Sequence, residues 1–256
     1  MADDRIADAF SQAAEQYDLY ARLQKGVATT LADWLTETAT GAGIDLGCGT
    51  GPTARLLQQR APDIHWFGVD LADGMLRELL ARGRASEHYR PLQATATALP
   101  FADKSLRYIY SSFSLQWVAE QAALAEELHR VLASGGELLL ALPLVGSLSE
   151  LSAVYQQVGL RSPVNKLPDY QGWHAQLTVC GFQLQQQVLQ TFTEYYADFA
   201  AVHRMIKGTG AHVRLNAEQT VLRKSDYQAL QQAYELLRQP AGLPVSWQVA
   251  FWRWQK

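Results

Sequence analysis

The residues best suited to chemistry form a glycine-rich segment just after an apolar run. In it, Gly47, Gly49 and Gly51 alternate with other residues, and Asp45 comes just before them. Because alternate positions lack a side chain, a ligand can approach the backbone closely. Asp70 ends the next apolar run, where a carboxylate at the end of a parallel strand commonly accepts two ribose hydroxyls. The pattern predicts a cofactor that carries a nucleoside.

The glycine spacing and the charge beside it narrow the choice of cofactor. Dinucleotide sites use G-x-G-x-x-G, whereas this chain has G-x-G-x-G. The carboxylate of Asp45 would repel a pyrophosphate and would suit a cationic amino group. The alternatives are a glycine-rich turn that binds no ligand and, for Asp70, a role as the N-cap of the helix predicted at 72–82.

Composition excludes several classes of protein. The 256 residues carry a net charge of −3, which gives no overall basic field for nucleic acid or an anionic membrane. The two cysteines, Cys48 and Cys180, offer neither a disulfide framework nor the spacing of a metal site. No apolar stretch approaches the ~18 residues of a membrane span, and no signal peptide is recognisable. We expect a cytoplasmic protein without a metal.

Strand and helix patterns alternate through the first part of the chain. This predicts an α/β fold with a doubly wound, mostly parallel seven-stranded sheet, forming one domain over 1–256. Helices are expected in an N-terminal segment, 1–36, and in an insertion at 195–240 that caps the carboxyl edge of the sheet. Strands are predicted at 43–46, 64–70, 88–94, 106–111, 137–142, 182–193 and 245–254. Helices are predicted at 52–60 with Pro52 in the first turn, 72–82, 118–133 ended by Gly135 and Gly136, 147–158, 170–180, 195–206 ended at Lys207, and 225–238.

The segment Asp45-Leu-Gly-Cys-Gly-Thr-Gly51 resembles the first motif of the class I S-adenosylmethionine-dependent methyltransferases. Their cofactor, the methyl donor, carries an ammonium and a sulfonium but no phosphate. The segment Ala94-Thr-Ala-Thr-Ala-Leu-Pro-Phe101 aligns with a family motif in which an aspartate accepts from the adenine amino group. Here Thr95 stands at that position, and its hydroxyl is a weaker acceptor.

The resemblance also implies which residues surround the cofactor. A tyrosine at position 17 would lie over the sulfonium, where cation–π attraction is worth ~1–2 kcal/mol in a dry site. Gln116 and Trp117 would shape the substrate mouth. Ordinary core packing is the alternative for Tyr17, Trp117 and Met75. The expected cofactor-binding residues are Tyr17, Asp45, Gly47, Gly49, Gly51, Asp70, Leu71, Met75, Thr95, Ala96, Ser111 and Gln116.

Further motifs are similar to those of the malonyl-acyl-carrier-protein O-methyltransferases of biotin synthesis. They are Phe10-Ser-Gln-Ala-Ala-Glu-Gln-Tyr17, Leu115-Gln-Trp117, Gly146-Ser-Leu-Ser-Glu-Leu151, Arg161-Ser-Pro-Val-Asn165 and Lys207-Gly-Thr-Gly-Ala211. The resemblance implies methylation of the free carboxylate of a malonyl thioester, presented by an acyl carrier protein or as malonyl-CoA. That carboxylate is ionised at neutral pH, so the reaction needs no general base.

Several cationic residues are clustered in the predicted insertion and are candidates for holding the carboxylate. His203, Arg204, Lys207 and His212 surround two glycines, although a solvated charged face is the alternative. Arg204 is the preferred carboxylate clamp because a guanidinium offers two parallel hydrogen bonds, and Lys207 is the second choice. The residues expected to dock an acidic carrier are Arg161, Lys166, Arg214, Arg223 and Lys224.

Two other functions stay open from the sequence. One is a class I methyltransferase acting on another small carboxylate or hydroxyl metabolite. The other is a methyltransferase fold that holds a cofactor or carrier protein without turnover, for which the substitution at Thr95 is the sole support.

Overall fold

A mixed sheet organises the residues that the computed structural model describes, which are 2–36, 39–208 and 222–256. Its strand order is β3-β2-β1-β4-β5-β7-β6; β7 is antiparallel to both of its neighbours and the other pairs are parallel. The strands are β1 (Gly41–Leu46), β2 (Ile64–Asp70), β3 (Tyr89–Gln93), β4 (Leu106–Ser112), β5 (Leu132–Pro143), β6 (Gln183–Tyr196) and β7 (Leu243–Gln255). The predicted doubly wound, mostly parallel seven-stranded sheet is confirmed.

Helices cover both faces of this sheet. They are α1 (Ala2–Tyr20), α2 (Arg22–Ala32), α3 (Ala54–Arg60), α4 (Asp73–Ala81), α5 (Gln121–Val131), α6 (Ser149–Gln157), α7 (Tyr170–Val179), α8 (Phe199–Gly208) and α9 (Lys224–Glu235), and a 3₁₀ turn lies at Leu115–Trp117. Within the described ranges, no helix combines the length and apolar character that crossing a bilayer requires.

Successive side chains of the central strands belong alternately to two separate hydrophobic cores. In β4, Tyr108 and Tyr110 belong to the core under α2, α3, α6, α8 and α9, whereas Ile109 belongs to the core under α5 and α7. Successive side chains of a strand point to opposite faces, so a strand covered on both sides must be apolar throughout. This is why Tyr108–Tyr110 in β4 and Leu138–Pro143 in β5 are uninterrupted apolar runs.

The strand order reverses between β1 and β4, which opens a crevice at their carboxyl ends. Helix α1 crosses this crevice and packs on α4, where the hydroxyl of Ser11 accepts the backbone N–H of Gly74 at 3.1 Å. Helices α8 and α9 connect β6 to β7 at the same edge of the sheet, and α8 packs against α1. The domain limits expected at 1–36 and 195–240 stay predictions.

Several predicted element boundaries are wrong for identifiable reasons. Helix α3 begins at Ala54, so Pro52 lies in the turn before it and not in its first turn. Helix α5 ends at Val131 and β5 follows at once, because the pairing of β4 with β5 shifts register there and Gly135, with φ +72°, is accommodated inside the strand. Helix α8 continues through Lys207, so the predicted break at that residue is also wrong.

Candidate active site

Asp70 and the glycine segment meet at the carboxyl ends of β1 and β2. One carboxylate oxygen of Asp70 accepts the backbone N–H of Gly49 at 2.8 Å, and the other accepts that of Ala72 at 2.8 Å. Burial raises the pKa of this carboxyl, against the opposing effect of the backbone N–H groups. Each oxygen keeps a further lone pair, so the carboxylate can also accept hydroxyl groups of a ligand.

The glycine segment has left-handed backbone at all of its glycines, but for different reasons. A Cβ on Gly47 would lie 1.8 Å from the hydroxyl oxygen of Ser114, and one on Gly51 would lie 2.8 Å from Leu79 of α4. At Gly49 the nearest atom would be 3.9 Å away. The missing side chain of Gly51 makes room for α4, and Gly51 lines neither of the two cavities that Gly47 and Gly49 line, so its contact with a ligand stays a prediction.

A first cavity runs along the ends of β2 and β3, and we call it the strand-end cavity. Gly47, Gly49 and Asp70 line one side of it. The hydroxyl of Thr95 lies 3.2 Å from that of Thr97. Four residues that the sequence assigned to the cofactor line the same cavity, namely Leu71, Met75, Thr95 and Ala96.

Asp45 faces a second cavity beneath the glycine segment, which we call the loop cavity. One oxygen of its carboxylate accepts the hydroxyls of Thr53 at 2.6 Å and of Tyr89 at 2.7 Å. Burial raises the pKa of Asp45 to about 6, with the negative charge of Asp70 acting in the same direction and the two hydroxyls opposing both. A cation brought into the loop cavity would therefore favour the ionised carboxylate.

Tyr17 lies where the strand-end cavity, the loop cavity and a third, apolar cavity meet, since it lines all three. Phe10 packs edge-on against Tyr17 at 6.4 Å and against Trp117 at 5.5 Å between ring centroids. Burial raises the pKa of Tyr17 far above its ordinary value, helped by the negative charges of Asp70 and Asp18. Its phenol is therefore neutral and can donate a hydrogen bond.

The apolar cavity extends from Tyr17 towards the loop between α6 and α7. Its walls are mostly carbon, and among the described residues that line it Lys166 is the one charged side chain. Lys166 is exposed. The lining is completed by Phe10, Gln24, Phe113, Gln116, Trp117, Pro143, Leu148, Leu151, Pro163, Val164, Asn165, Leu167, Ile206 and Trp247.

Besides Gly51, two residues assigned to the cofactor, Ser111 and Gln116, line neither the strand-end cavity nor the loop cavity. Ser111 is fully buried and donates to the backbone oxygen of Leu46 at 2.8 Å, while the next residue, Ser112, lines the strand-end and loop cavities. The prediction for Ser111 is wrong because it assigns the wrong face of β4 to the cavity. Gln116 lines the apolar cavity and donates to the backbone oxygen of Phe113 at 2.9 Å.

The predicted carboxylate clamp does not reach these cavities. Arg204 points from α8 into an open groove against α1, its side chain is 59% exposed, and its nearest carboxylate is that of Asp198 at 3.9 Å. Lys207 lines the same outer groove. Packing of α8 turns Ile206 inward to the apolar cavity and leaves both cations outside. His212 and Arg214, also named from the sequence, lie outside the described residues.

Sequence reasoning missed Gln24, Phe113 and Trp247, which line the apolar cavity. Gln24 also lines the loop cavity. In the sequence Gln24 simply follows Leu23, whose side chain is buried. Neither the hydrophobic pattern nor the spacing of residues marks Gln24 as functional. The described residues contain no group of three or more His, Cys, Asp or Glu that could hold a metal ion.

Known proteins that are similar to this chain share its fold, and their names state a reaction. Residues 44–140 match the family model described as a methyltransferase domain. A protein from Alcanivorax borkumensis named malonyl-[acyl-carrier protein] O-methyltransferase is 42% identical over 96% of this chain and 84% of its own. A protein of the same name from Herminiimonas arsenicoxydans is 32% identical over 96% of this chain and 94% of its own.

Solved structures share the fold at much lower sequence identity. A geranyl diphosphate methyltransferase in complex with S-adenosylmethionine superimposes with a TM-score of 0.57 at 16% identity, covering 95% of this chain and 89% of that one. A methyltransferase structure from Bacillus halodurans gives a TM-score of 0.62 at 16% identity, covering 90% and 98%.

Proposed function

The chain belongs to the malonyl-[acyl-carrier protein] O-methyltransferase family, and on that premise we propose that its adjoining cavities hold the two reactants of the family's reaction. It is an S-adenosylmethionine-dependent methyltransferase that esterifies the free carboxylate of a malonyl thioester, a step of biotin synthesis. The strand-end and loop cavities take the cofactor, and the apolar cavity takes the malonyl group. The observation that carries this assignment is Tyr17, which lines all three.

The donor set around the first two cavities fits S-adenosylmethionine. Asp70 retains acceptor capacity for ribose hydroxyls, and Gly49 leaves open space beside it. The carboxyl of Asp45 lines the loop cavity and has a raised pKa. An ammonium bound in that cavity would stabilise its ionised form. We propose that Asp70, Leu71, Met75, Thr95 and Ala96 hold the adenosine, and that Asp45 faces the amino group.

When bound, S-adenosylmethionine supplies an electrophilic methyl group on a sulfonium. The malonyl carboxylate attacks as an anion, so the chain needs to bind and orient it but not to remove a proton. Aromatic walls from Phe10, Tyr17 and Trp117 exclude water at the junction of the cavities. Excluding water strips the nucleophile of its hydration shell, and fixed walls align it for in-line attack.

An acyl carrier protein is the partner we propose in preference to coenzyme A. The loop between α6 and α7 carries Arg161 and Lys166, and Lys166 stands in the lining of the apolar cavity. Arg223 and Lys224 begin α9, which packs on α6. Such a spread of exposed cations suits an acidic protein surface and speeds its association.

We also propose a cytoplasmic location. Both Cys48 and Cys180 are free thiols, which a reducing compartment maintains.

A substrate panel tests the proposed function. Purified protein is incubated with labelled S-adenosylmethionine and with malonyl, succinyl and acetyl thioesters of both a carrier protein and coenzyme A. We expect label in the malonyl ester, more efficiently from the carrier protein, and none from the acetyl thioester. Methylation of succinyl and malonyl thioesters at equal rates would contradict the assignment of a malonyl site, and equal rates with the two carriers would contradict the preferred partner.

A further inference from the structure

Gln24 lies between the cofactor and substrate sides of the proposed active site. It projects from α2, lines both the loop cavity and the apolar cavity, and shares each of them with Tyr17. Its side-chain oxygen is buried without a hydrogen-bond partner. Rotation of the carboxamide by half a turn exchanges its oxygen and nitrogen, so the same side chain can offer two N–H donors to a ligand.

An unpartnered donor lines the same apolar cavity. The indole N–H of Trp247 is buried without an acceptor, and the residue is 4% exposed. Unpartnered indole N–H groups also occur in Trp66, Trp173, Trp252 and Trp254, but these residues do not line the apolar cavity. Buried polar groups normally have partners, so a carboxamide that can turn its N–H groups into the position of its oxygen, together with an unpartnered indole N–H in the same lining, fits a ligand that accepts hydrogen bonds.

The chemistry explains why neutral donors suit this position better than a cation. A carboxylate loses its negative charge as it takes up a methyl group, so a fixed cation beside it would stabilise the reactant more than the transition state. A cation would also repel the positively charged sulfonium. Among the described residues that line the apolar cavity, the one charged group is Lys166, which is exposed.

We propose that the carboxamide of Gln24 recognises the free carboxylate of the acyl group and holds it at the junction with the cofactor cavities. This inference rests on the proposed function. The oxygen not held by Gln24 forms a bond to the methyl carbon while the carbon–sulfur bond breaks and its electron pair stays on sulfur, so no proton is exchanged. Trp247 supplies a further N–H donor to the acyl group.

Substituting Gln24 by Glu separates this role from a structural one. The new carboxylate repels the malonyl carboxylate, whereas it leaves or improves the environment of the cofactor's ammonium. Gln24→Leu removes the donors without adding a charge. Gln12→Glu is the matched control. Gln12 is exposed on α1 and lines the outer groove, so this substitution makes the same change of charge away from the three cavities.

The measurements use the full chain and small thioesters of N-acetylcysteamine, so that carrier docking plays no part. Calorimetry gives the affinity for S-adenosylhomocysteine and, in its presence, for the malonyl and acetoacetyl thioesters. The acetoacetyl group has the shape of malonyl with a neutral methyl ketone in place of the carboxylate. Methyl transfer to the malonyl thioester gives KM and kcat.

We expect Gln24→Glu to bind S-adenosylhomocysteine at least as tightly as wild type and to bind the malonyl thioester at least tenfold more weakly. Its preference should shift to the acetoacetyl thioester. Gln24→Leu should lose malonyl affinity by a smaller factor, with a raised KM, and Gln12→Glu should match wild type. Unchanged malonyl affinity in both Gln24 variants would overturn the inference.

A parallel loss of cofactor and malonyl affinity in the Gln24 variants would also overturn it, because that outcome indicates a structural role. If Gln24→Glu does not fold, the choice between malonyl and acetoacetyl thioesters by Gln24→Leu decides the question. An unchanged preference in that variant contradicts the inference. A wild-type protein that methylates no malonyl thioester would instead contradict the proposed function.

Discussion

The carboxylate of Asp70 accepts the backbone N–H of Gly49 at 2.8 Å and so ties the end of β2 to the glycine segment that follows β1. One side chain thus both shapes the segment and faces the strand-end cavity. The two features that stood out in the sequence are therefore a single hydrogen-bonded unit. Substitution of either residue should therefore weaken binding of the same ligand.

Replacing Asp70 by Ala should weaken S-adenosylmethionine binding by about 1.5–3 kcal/mol, a ten- to hundredfold loss. The variant loses charge-assisted acceptors for the ribose and leaves the N–H of Gly49 without its partner. Isothermal calorimetry with a variant shown to be folded by circular dichroism checks this. Unchanged affinity would contradict the assignment of Asp70 to the ribose hydroxyls.

Gly49→Ala and Gly51→Ala should fail in different ways although both glycines have positive φ. A methyl group at Gly51 would lie 2.8 Å from Leu79, so we expect a lower unfolding temperature. At Gly49 the methyl has space within the fold but enters the cavity, so we expect weaker cofactor binding with a smaller loss of stability. Thermal melts with and without S-adenosylhomocysteine compare the two, and equal losses of stability would contradict the distinction.

Thr95→Asp should keep or strengthen cofactor binding. The substitution restores the charged acceptor that the wider methyltransferase family uses for the adenine amino group, at a position that lines the strand-end cavity. Calorimetry of S-adenosylhomocysteine is the measurement, with Thr97→Asp as the neighbouring control. Weaker binding by a folded Thr95→Asp protein would mean that Thr95 does not face the adenine.

Asp45→Asn should gain stability over wild type as pH rises from about 4.5 to about 7. The carboxyl has a pKa of about 6 in the fold against an ordinary value of 3.8. The folded state therefore holds its proton to higher pH than the unfolded chain, so wild type loses stability through this interval, by at most about 3 kcal/mol. Urea unfolding across the interval checks this, with the exposed Asp63→Asn as control. A pH-independent difference between Asp45→Asn and wild type would contradict it.

Arg204→Ala should leave methylation of a small malonyl thioester within about twofold of wild type, because an exposed arginine with one distant carboxylate partner contributes little. The sequence led to the opposite expectation, a severe loss. Steady-state kinetics with the N-acetylcysteamine thioester decide between the two. A loss of a hundredfold or more would restore Arg204 as the carboxylate clamp and require α8 to turn inward during the reaction.

The sequence by itself determined the fold and several of the residues that line the strand-end cavity. Gly49 and Asp70 could be assigned because glycine spacing and the end of an apolar strand are local patterns, and parallel strands bring their carboxyl ends to one edge of the sheet. Leu71, Met75, Thr95 and Ala96 follow from the same rule, since each comes soon after a strand end.

Tertiary structure alone decided which other side chains face the cavities. Whether Ser111 or Ser112 faces the cavity depends on which face of β4 the neighbouring helices cover, and a strand apolar on both faces carries no signal of that choice. Arg204 points outward because α8 packs its apolar side inward. Gln24 and Trp247 come from opposite ends of the chain, so only packing of α2 and β7 around one cavity brings them together.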